Sequence, residues 1–501
     1  MHGRLTIKYR LEKLLYISNR FRVIPFDMVF SSVAFIFYFL PIFFLVYYNV
    51  PARFKNIVIL TGSIFFYAWG APRFVIIVFL TTMIDFFIVR YMSSVAEKRK
   101  KLLLLILSLF INLGLLFYFK YCNFFVENVN RLLASTGMRA VSWTQVIMPI
   151  GISFYTFETL TYVVDVYKGK HQPFRNFWDY QVYIMLFPKL IAGPIIQFHD
   201  FAVQVYDHTS METFENRLRG FYRFFIGLGK KVLIANVMGA AADKIFAIPY
   251  DQLSTTTAWY GAISYTFQIY FDFSGYSDMA IGLGLMMGFR FPENFNNPYT
   301  AESITDFWRK WHITLGSWMR NYLYIPLGGN KVNSKARLFF NLWLVFLLSG
   351  LWHGAAWGFI FWGAYHGFFL ILERMFLGKW LSRIGKLSVI YTFPVVVVGW
   401  VFFRIEYLRS SISFLGRMFA WHPQNTVWEP DPLFFTTLCL SVFFSFFVLF
   451  PKGTDLQQKL FFKEHSMRSH YVLMAAALAI CVLSVGRITA TNFNPFIYFR
   501  F

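Results

Sequence analysis

A chain of 501 residues that is 57% hydrophobic and only 14% charged is not a soluble domain, where about a quarter of residues carry charge. The formal charge of +22 would point to nucleic acid in a soluble protein. Beside recurrent apolar segments it reads as basic loops facing the negative cytoplasmic leaflet of a bilayer, and no nucleic-acid role is expected. Apolar length divided by about 20 residues per span predicts an all-α polytopic membrane protein with roughly 11 to 13 crossings. The 65 phenylalanines are expected to face lipid or other helices. Cys122, Cys439 and Cys481 lie far apart, so neither a disulfide framework nor a cysteine metal site is expected.

Residues 1–27 are polar and basic, with Arg4, Lys8, Arg10, Lys13, Arg20 and Arg22 against Glu12 and Asp27. No apolar core lies between these charges, so they do not form a secretory signal. A first span is expected from Met28 to about Tyr48, then apolar segments over about 56–70, 74–91 and 102–121. The basic loop Glu97-Lys98-Arg99-Lys100-Lys101 separates the last two. Three spans between two basic stretches put them on opposite sides, against the positive-inside rule. Either one segment is re-entrant, or residues 1–27 are an extension upstream of a working start at Met28. The second reading is preferred, with the 97–101 loop cytoplasmic. Residues 28–501 then form one domain with a C-terminal tail at 488–501, undivided by repeat or linker.

Pro149-Ile150-Gly151 opens an apolar stretch ending near Asp165, and Pro188 and Gly193-Pro194 interrupt the next. Such residues are tolerated at membrane depth where protein or a cavity surrounds them. Arg217, Arg219, Arg223, Lys230 and Lys231 form a second cytoplasmic-type cluster. Residues 258–289 are apolar but include Gln268, Asp272, Ser274, Ser277 and Asp278, which are expected to face the bundle interior. Gly282 and Gly284 read as helix packing.

Between 303 and 322, Trp308, Trp311, Leu315, Trp318 and Tyr322 recur at spacings of three and four. This predicts one amphipathic helix lying in the interface or entering the bundle obliquely, capped by Ser303 with Asp306 behind it. His312 belongs to its aromatic side.

The apolar run from about 338 to 372 is too long for one span. It holds Gly350-Leu351-Trp352-His353-Gly354, where a histidine at bilayer depth is costly unless satisfied or used. Each flanking glycine lowers helix stability by about 1 kcal/mol and allows the backbone to bend or approach a ligand, so a break near His353 is expected. On this segment alone His353 is equally a packed histidine or a functional one. Further apolar runs follow at about 388–403, 433–450 and 471–486.

The chain lacks a nucleotide P-loop, a Rossmann glycine fingerprint, a zincin motif and a nucleophile elbow. Of ten histidines, His312, His353 and His366 stand out, and an ordinary imidazole pKa of about 6.5 suits a general base. The run Gln268-Ile269-Tyr270-Phe271-Asp272-Phe273-Ser274-Gly275-Tyr276-Ser277-Asp278-Met279-Ala280 resembles the membrane-bound O-acyltransferase (MBOAT) family. So do Asn294-Phe295-Asn296-Asn297-Pro298-Tyr299, Phe307-Trp308-Arg309-Lys310-Trp311-His312 and Leu351-Trp352-His353-Gly354. The likeness is greatest to its bacterial alginate O-acetyltransferase branch and runs from about Met28 onward.

The resemblance implies a ring of helices around a thinned core with a tunnel. It implies His353 as catalytic base and His312 as a second functional histidine, while His366 remains structural. Trp308, Trp311, Trp352, Ser277 and Asp278 are expected to line the tunnel, the last two equally as structural hydrogen-bonding residues. Arg309 and Lys310 are either interfacial anchors or contacts for the donor's phosphates. The tail Phe496-Ile497-Tyr498-Phe499-Arg500-Phe501 reads either as an aromatic anchor or, by its similarity to the terminal motif of the small partner protein in teichoic acid D-alanylation, as an acyl carrier through Tyr498.

The expected activity is transfer of an acetyl group from a cytoplasmic thioester, acetyl-CoA, across the bacterial cytoplasmic (inner) membrane. It would serve O-acetylation of an exported polysaccharide such as alginate through an extracytoplasmic SGNH-type acetyltransferase, with no bound cofactor or metal. The alternatives are D-alanyl or other acyl transfer from a carrier protein, and a polysaccharide transporter or flippase.

Overall fold

The structure, a computed structural model, describes residues 28–421, 428–491 and 496–497. The N-terminal extension 1–27 and Tyr498 lie outside the described residues. All regular secondary structure within them is helical.

A π-helical turn, Phe35–Phe39, leads into α1 (Leu40–Asn49), followed by α2 (Ala52–Gly70), α3 (Pro72–Ser94) and α4 (Lys98–Leu116). A second π turn, Phe117–Tyr121, joins α4 to α5 (Cys122–Ser135). Then come α6 (Ile152–Tyr167), α7 (Phe177–Met185), α8 (Phe198–Tyr206), α9 (Phe214–Gly229), α10 (Asn236–Phe246) and α11 (Thr255–Met286). Pro188 and Gly193-Pro194 break the chain between α7 and α8, as expected.

By length and composition, seven helical stretches among the described residues can cross a bilayer: 72–94, 98–135, 214–246, 335–353, 357–404, 432–449 and 467–490. This is fewer than the 11 to 13 crossings expected from apolar length, for identifiable reasons. The stretch 357–404 doubles back, its helices Trp357–Leu372 and Val389–Arg404 packing together. The helices α1 and α6 span only 10 and 16 residues. The 32-residue α11 spends part of its length on polar side chains turned inward, and Gln268, Asp272, Ser274, Ser277 and Asp278 are all buried.

The centre of the molecule is α11 with α9 and α10 against it. Glycines let two backbones touch there: a Cβ on Gly220 would lie 2.5 Å from the Gly282 carbonyl, and one on Gly227 2.5 Å from that of Gly275. Small residues at helix contacts are what membrane packing favours, because close approach replaces the hydrophobic drive that lipid removes. The N-terminal helices are tied to this centre by Glu212, which accepts from the Tyr47 hydroxyl at 2.5 Å. It also pairs with Lys55 and with Arg217 at 3.3 Å.

The 303–322 stretch is not one helix. It forms α12 (Ile304–Lys310), a break at Trp311-His312, α13 (Ile313–Met319) and a π turn, Arg320–Tyr324. His312 has φ of 45°, in the left-handed region, which costs a non-glycine residue about 1–3 kcal/mol. Two backbone bonds keep it there: Asn296 N donates to the Lys310 carbonyl and Ile313 N to that of Asn294, both at 2.9 Å. The expected aromatic stripe is therefore split. Trp311 turns into the core at 2% exposure, and Trp318 stacks on Phe157 of α6 with centroids 3.7 Å apart. The Ser303 cap is present, its hydroxyl accepting from Asp306 N.

The remaining site-bearing helices are α14 (Lys335–His353), α15 (Trp357–Leu372) and α16 (Val389–Arg404). The Tyr365 hydroxyl of α15 donates to the Val395 carbonyl of α16 at 2.9 Å.

Candidate active site

The helix α14 ends at His353, where the break was expected. The flanking glycines act through packing. A Cβ on Gly350 would stand 3.3 Å from the Cα of Gly363, so α14 and α15 meet backbone to backbone. Gly354 has an extended φ of −172°, open to any residue, and the Phe359 ring fills the space a side chain would need. Neither glycine adopts a strained conformation.

His353 is buried, and its Nδ1 lies 2.7 Å from the Ser349 carbonyl oxygen. A carbonyl only accepts, so Nδ1 carries the proton and Nε2 is the accepting, basic nitrogen. Around the ring stand Trp352 and Trp362, each 4.9 Å away by centroid, and Phe403 at 5.4 Å.

His312 faces His353 with ring centroids 6.5 Å apart. Its Nδ1 is 3.0 Å from Asn294 Oδ1. That oxygen also receives the Thr314 hydroxyl at 2.9 Å, while Asn294 Nδ2 donates to Ser277 Oγ at 3.1 Å. The pattern sets Nδ1 of His312 as donor and leaves Nε2 as a buried acceptor without a partner among the described residues. Two imidazoles thus face each other, each with its Nδ1 proton committed to the protein.

The indole nitrogens of Trp308, Trp352 and Trp362 are likewise buried without partners among the described residues. A buried donor left unpaired costs about 1–3 kcal/mol, and this wall holds three of them. His366 belongs to the same wall, T-shaped to Trp308 at 5.2 Å and 5.3 Å from Trp362, with neither ring nitrogen paired among the described residues.

The other expected residues divide. Trp352 stands against both histidines, and Trp308 lies one ring further, 5.4 Å from Trp362. Trp311 packs between Phe295 and Trp400 at 5.0 and 4.8 Å. Ser277 reaches His312 through Asn294. Asp278 belongs to an ion network, accepting from Arg223 at 2.8 Å and Lys230 at 2.6 Å, with Arg223 also bidentate on Glu293. Arg309 and Lys310 line a separate cavity of about 570 Å³ in which Glu302, Asp306 and Glu373 match Arg309, Lys310 and Arg374. Lys310 is paired with Asp306 at 2.8 Å, and Glu373 accepts from Ile304 N and Thr305 N. That balance of charge does not single out a phosphate site.

Asn294 was not among the expected site residues, although it orients His312 and connects Ser277 and Thr314. An asparagine carries no charge signal, and its role arises only when residues 277, 294, 312 and 314 meet. The residues before Tyr498 are docked in the core: Ile497 N donates to Asp272 Oδ2 at 2.8 Å, Phe496 stacks on Tyr276 at 4.7 Å, and Asp272 is paired with Lys231 at 2.6 Å. Among the described residues no cluster of three or more His, Cys, Asp or Glu side chains could hold a metal ion.

Known proteins are similar to this chain over most of its length. Residues 64–403 match the model of the membrane-bound O-acyltransferase family. The chain is 40% identical over 491 residues to the probable alginate O-acetylase of Pseudomonas putida, covering 95% of this chain and all of the relative. It is 37% identical to the peptidoglycan O-acetyltransferase of Helicobacter pylori, covering 78% of this chain and 80% of the relative. With the teichoic acid D-alanyltransferase of Bacillus subtilis it shares 29% identity, over 51% of this chain and 68% of the relative. A multi-pass helical chain with two facing histidines and this breadth of similarity belongs to the membrane-bound O-acyltransferase family and is an O-acyltransferase.

Proposed function

We propose that this enzyme moves an acetyl group from acetyl-CoA, on the cytoplasmic side of the bacterial inner membrane, to an acceptor used for O-acetylation of an exported polysaccharide. The observation that carries the reading is the pair His353 and His312, rings 6.5 Å apart, each with Nδ1 held as a donor. In the proposed step His353 Nε2 takes the proton of the acceptor hydroxyl as its oxygen attacks the thioester carbonyl. The C–O ester bond forms, the C–S bond breaks, and the departing thiolate receives the proton from the imidazolium. His312 orients the thioester end, and the unpaired indole nitrogens are placed to receive its carbonyl oxygen. The relatives named as alginate and peptidoglycan O-acetylating enzymes support acetyl as the acyl group and an exported glycan as its destination.

The immediate acceptor in this reading is Tyr498, which passes the acetyl group to an extracytoplasmic SGNH-type acetyltransferase. Support comes from Phe496 and Ile497, seated on α11 at Tyr276 and Asp272. The test supplies labelled acetyl-CoA to membranes holding equal amounts of wild-type, His353→Ala and Tyr498→Phe protein. Loss of labelled product in both variants is expected. Full acetylation by His353→Ala would overturn the assignment of the base, and undiminished product from Tyr498→Phe would discard the relay. The D-alanyltransferase relative makes a carrier-bound aminoacyl thioester the second donor to assay. Transfer from it in place of acetyl-CoA would replace the acetyl reading.

A further inference from the structure

Five lysine or arginine side chains are buried among the described residues: Lys55, Lys120, Lys189, Arg223 and Lys231. Four stand beside a carboxylate, namely Glu212, Glu158, Asp278 and Asp272 respectively. Lys120 has none among the described residues. An ammonium withdrawn from water without a counter-ion is expensive, and it persists only where its hydrogens do something else.

What Lys120 does is visible in its two hydrogen bonds. Its Nζ donates to the Trp352 carbonyl at 2.5 Å and to Ser153 Oγ of α6 at 3.0 Å. The neighbouring Tyr121 hydroxyl donates to the Leu351 carbonyl at 3.0 Å. These carbonyls lie in the last turn of α14, where no further helical N–H follows to donate to them. Lys120 and Tyr121 sit in the π turn Phe117–Tyr121 and reach successive carbonyls of the same helix end. The next residue of α14 after those two carbonyls is His353.

We propose that Lys120 is a positioning residue for acyl transfer: with Tyr121 it clamps the terminal turn of α14 against α6 and thereby fixes the approach of His353 to the substrate. The clamp acts on the backbone, while the Ser349 bond sets the ring itself. An exposed ammonium or a paired one would serve membrane anchoring or folding; this one is buried, without a carboxylate, and bonded to the residue before the base.

The inference rests on His353 as the base, and the experiment separates the two. Purified wild-type, His353→Ala, Lys120→Met, Lys120→Arg and Tyr121→Phe proteins are compared in detergent for monodisperse elution and for single-turnover acetyl transfer from labelled acetyl-CoA, with kcat the rate constant at saturating donor and KM its half-saturation concentration. Lys120→Met keeps the length and apolar stem of the side chain and removes its donors. It is expected to lower kcat about a hundredfold with little change in KM, as loss of a preorganising group does. Lys120→Arg restores donors and is expected to recover about a tenth of the wild-type rate, and Tyr121→Phe to lose about fivefold in kcat. A merely structural lysine would reduce the yield of folded protein and leave kcat per molecule intact. Wild-type kcat in Lys120→Met, or an Arg variant no better than Met, overturns the proposal. Should Lys120→Met not accumulate, an unchanged kcat in Tyr121→Phe overturns the clamp. An active His353→Ala protein would instead overturn the underlying assignment.

Discussion

Two buried polar clusters share neighbouring residues and have opposite character. Asp278 and Glu293 belong to one, in which Arg223 and Lys230 match both carboxylates. Ser277 and Asn294, one residue away on each segment, belong to the other, which leads to His312 and His353. The first cluster is closed, with every charge answered within the protein. The second leaves His312 Nε2 and the indole nitrogens of Trp308, Trp352 and Trp362 without hydrogen-bond partners among the described residues. A cluster whose charges are all answered holds helices together, whereas unpaired buried polar atoms bring no such stabilisation. Side-chain chemistry alone does not distinguish them, since both are conspicuous polar residues in apolar sequence.

Substitutions on the two sides should therefore fail in different ways. The largest effect is expected from His353→Ala: loss of the general base lowers kcat by about a thousandfold, in protein that inserts and elutes normally. Next is Arg223→Met, which leaves Asp278 with Lys230 alone and Glu293 unpaired, and destabilises by less than the about 3–5 kcal/mol of a fully stranded buried charge. It should appear as lost membrane accumulation and early thermal unfolding, with kcat preserved in whatever folds. A folded but inactive Arg223→Met protein would erase the distinction between the clusters.

Asn294→Ala removes the acceptor that orients His312 and is expected to cost about 10- to 100-fold in kcat, similar to loss of an orienting partner behind a metal-bound histidine. Ser277→Ala leaves Asn294 Nδ2 without its acceptor and should cost about 1 kcal/mol in thermal stability with kcat nearly unchanged. The smallest effect belongs to Arg309→Ala, at an exposed residue in a cavity of mixed charge. A KM for acetyl-CoA within about twofold of wild type is expected for it, since exposed pairs contribute little. A tenfold rise would restore the donor-phosphate role.

Much of this architecture was legible from sequence. Composition named a polytopic helical membrane protein, and the isolation of His353 in apolar sequence marked it before any comparison. Gly350 and Gly354 correctly predicted a break, though for a different reason: they permit helix contact and ring packing, with no bend of their own. The 303–322 periodicity misled because spacing cannot register a left-handed residue. His312 interrupts the helix, so Trp308 and Trp311 leave the common face that the count of residues assigned them. Asn294 and Lys120 were illegible for another reason. Each works through partners far along the chain, Asn294 on His312 and Lys120 on Trp352, and no local pattern encodes a meeting of that kind.

The docking of Ile497 has a consequence for how much the tail can change. Asp272 grips the amide nitrogen of Ile497, a group that every residue except proline presents alike. The grip therefore measures distance along the chain and ignores the spelling of the residue it holds. An inserted residue after Phe496 would offer its own amide to Asp272 and advance everything downstream by about 3.4 Å, one step of extended chain. The carboxylate works as a ruler stop for the backbone, while the buried Ile497 side chain keeps a packing requirement of its own.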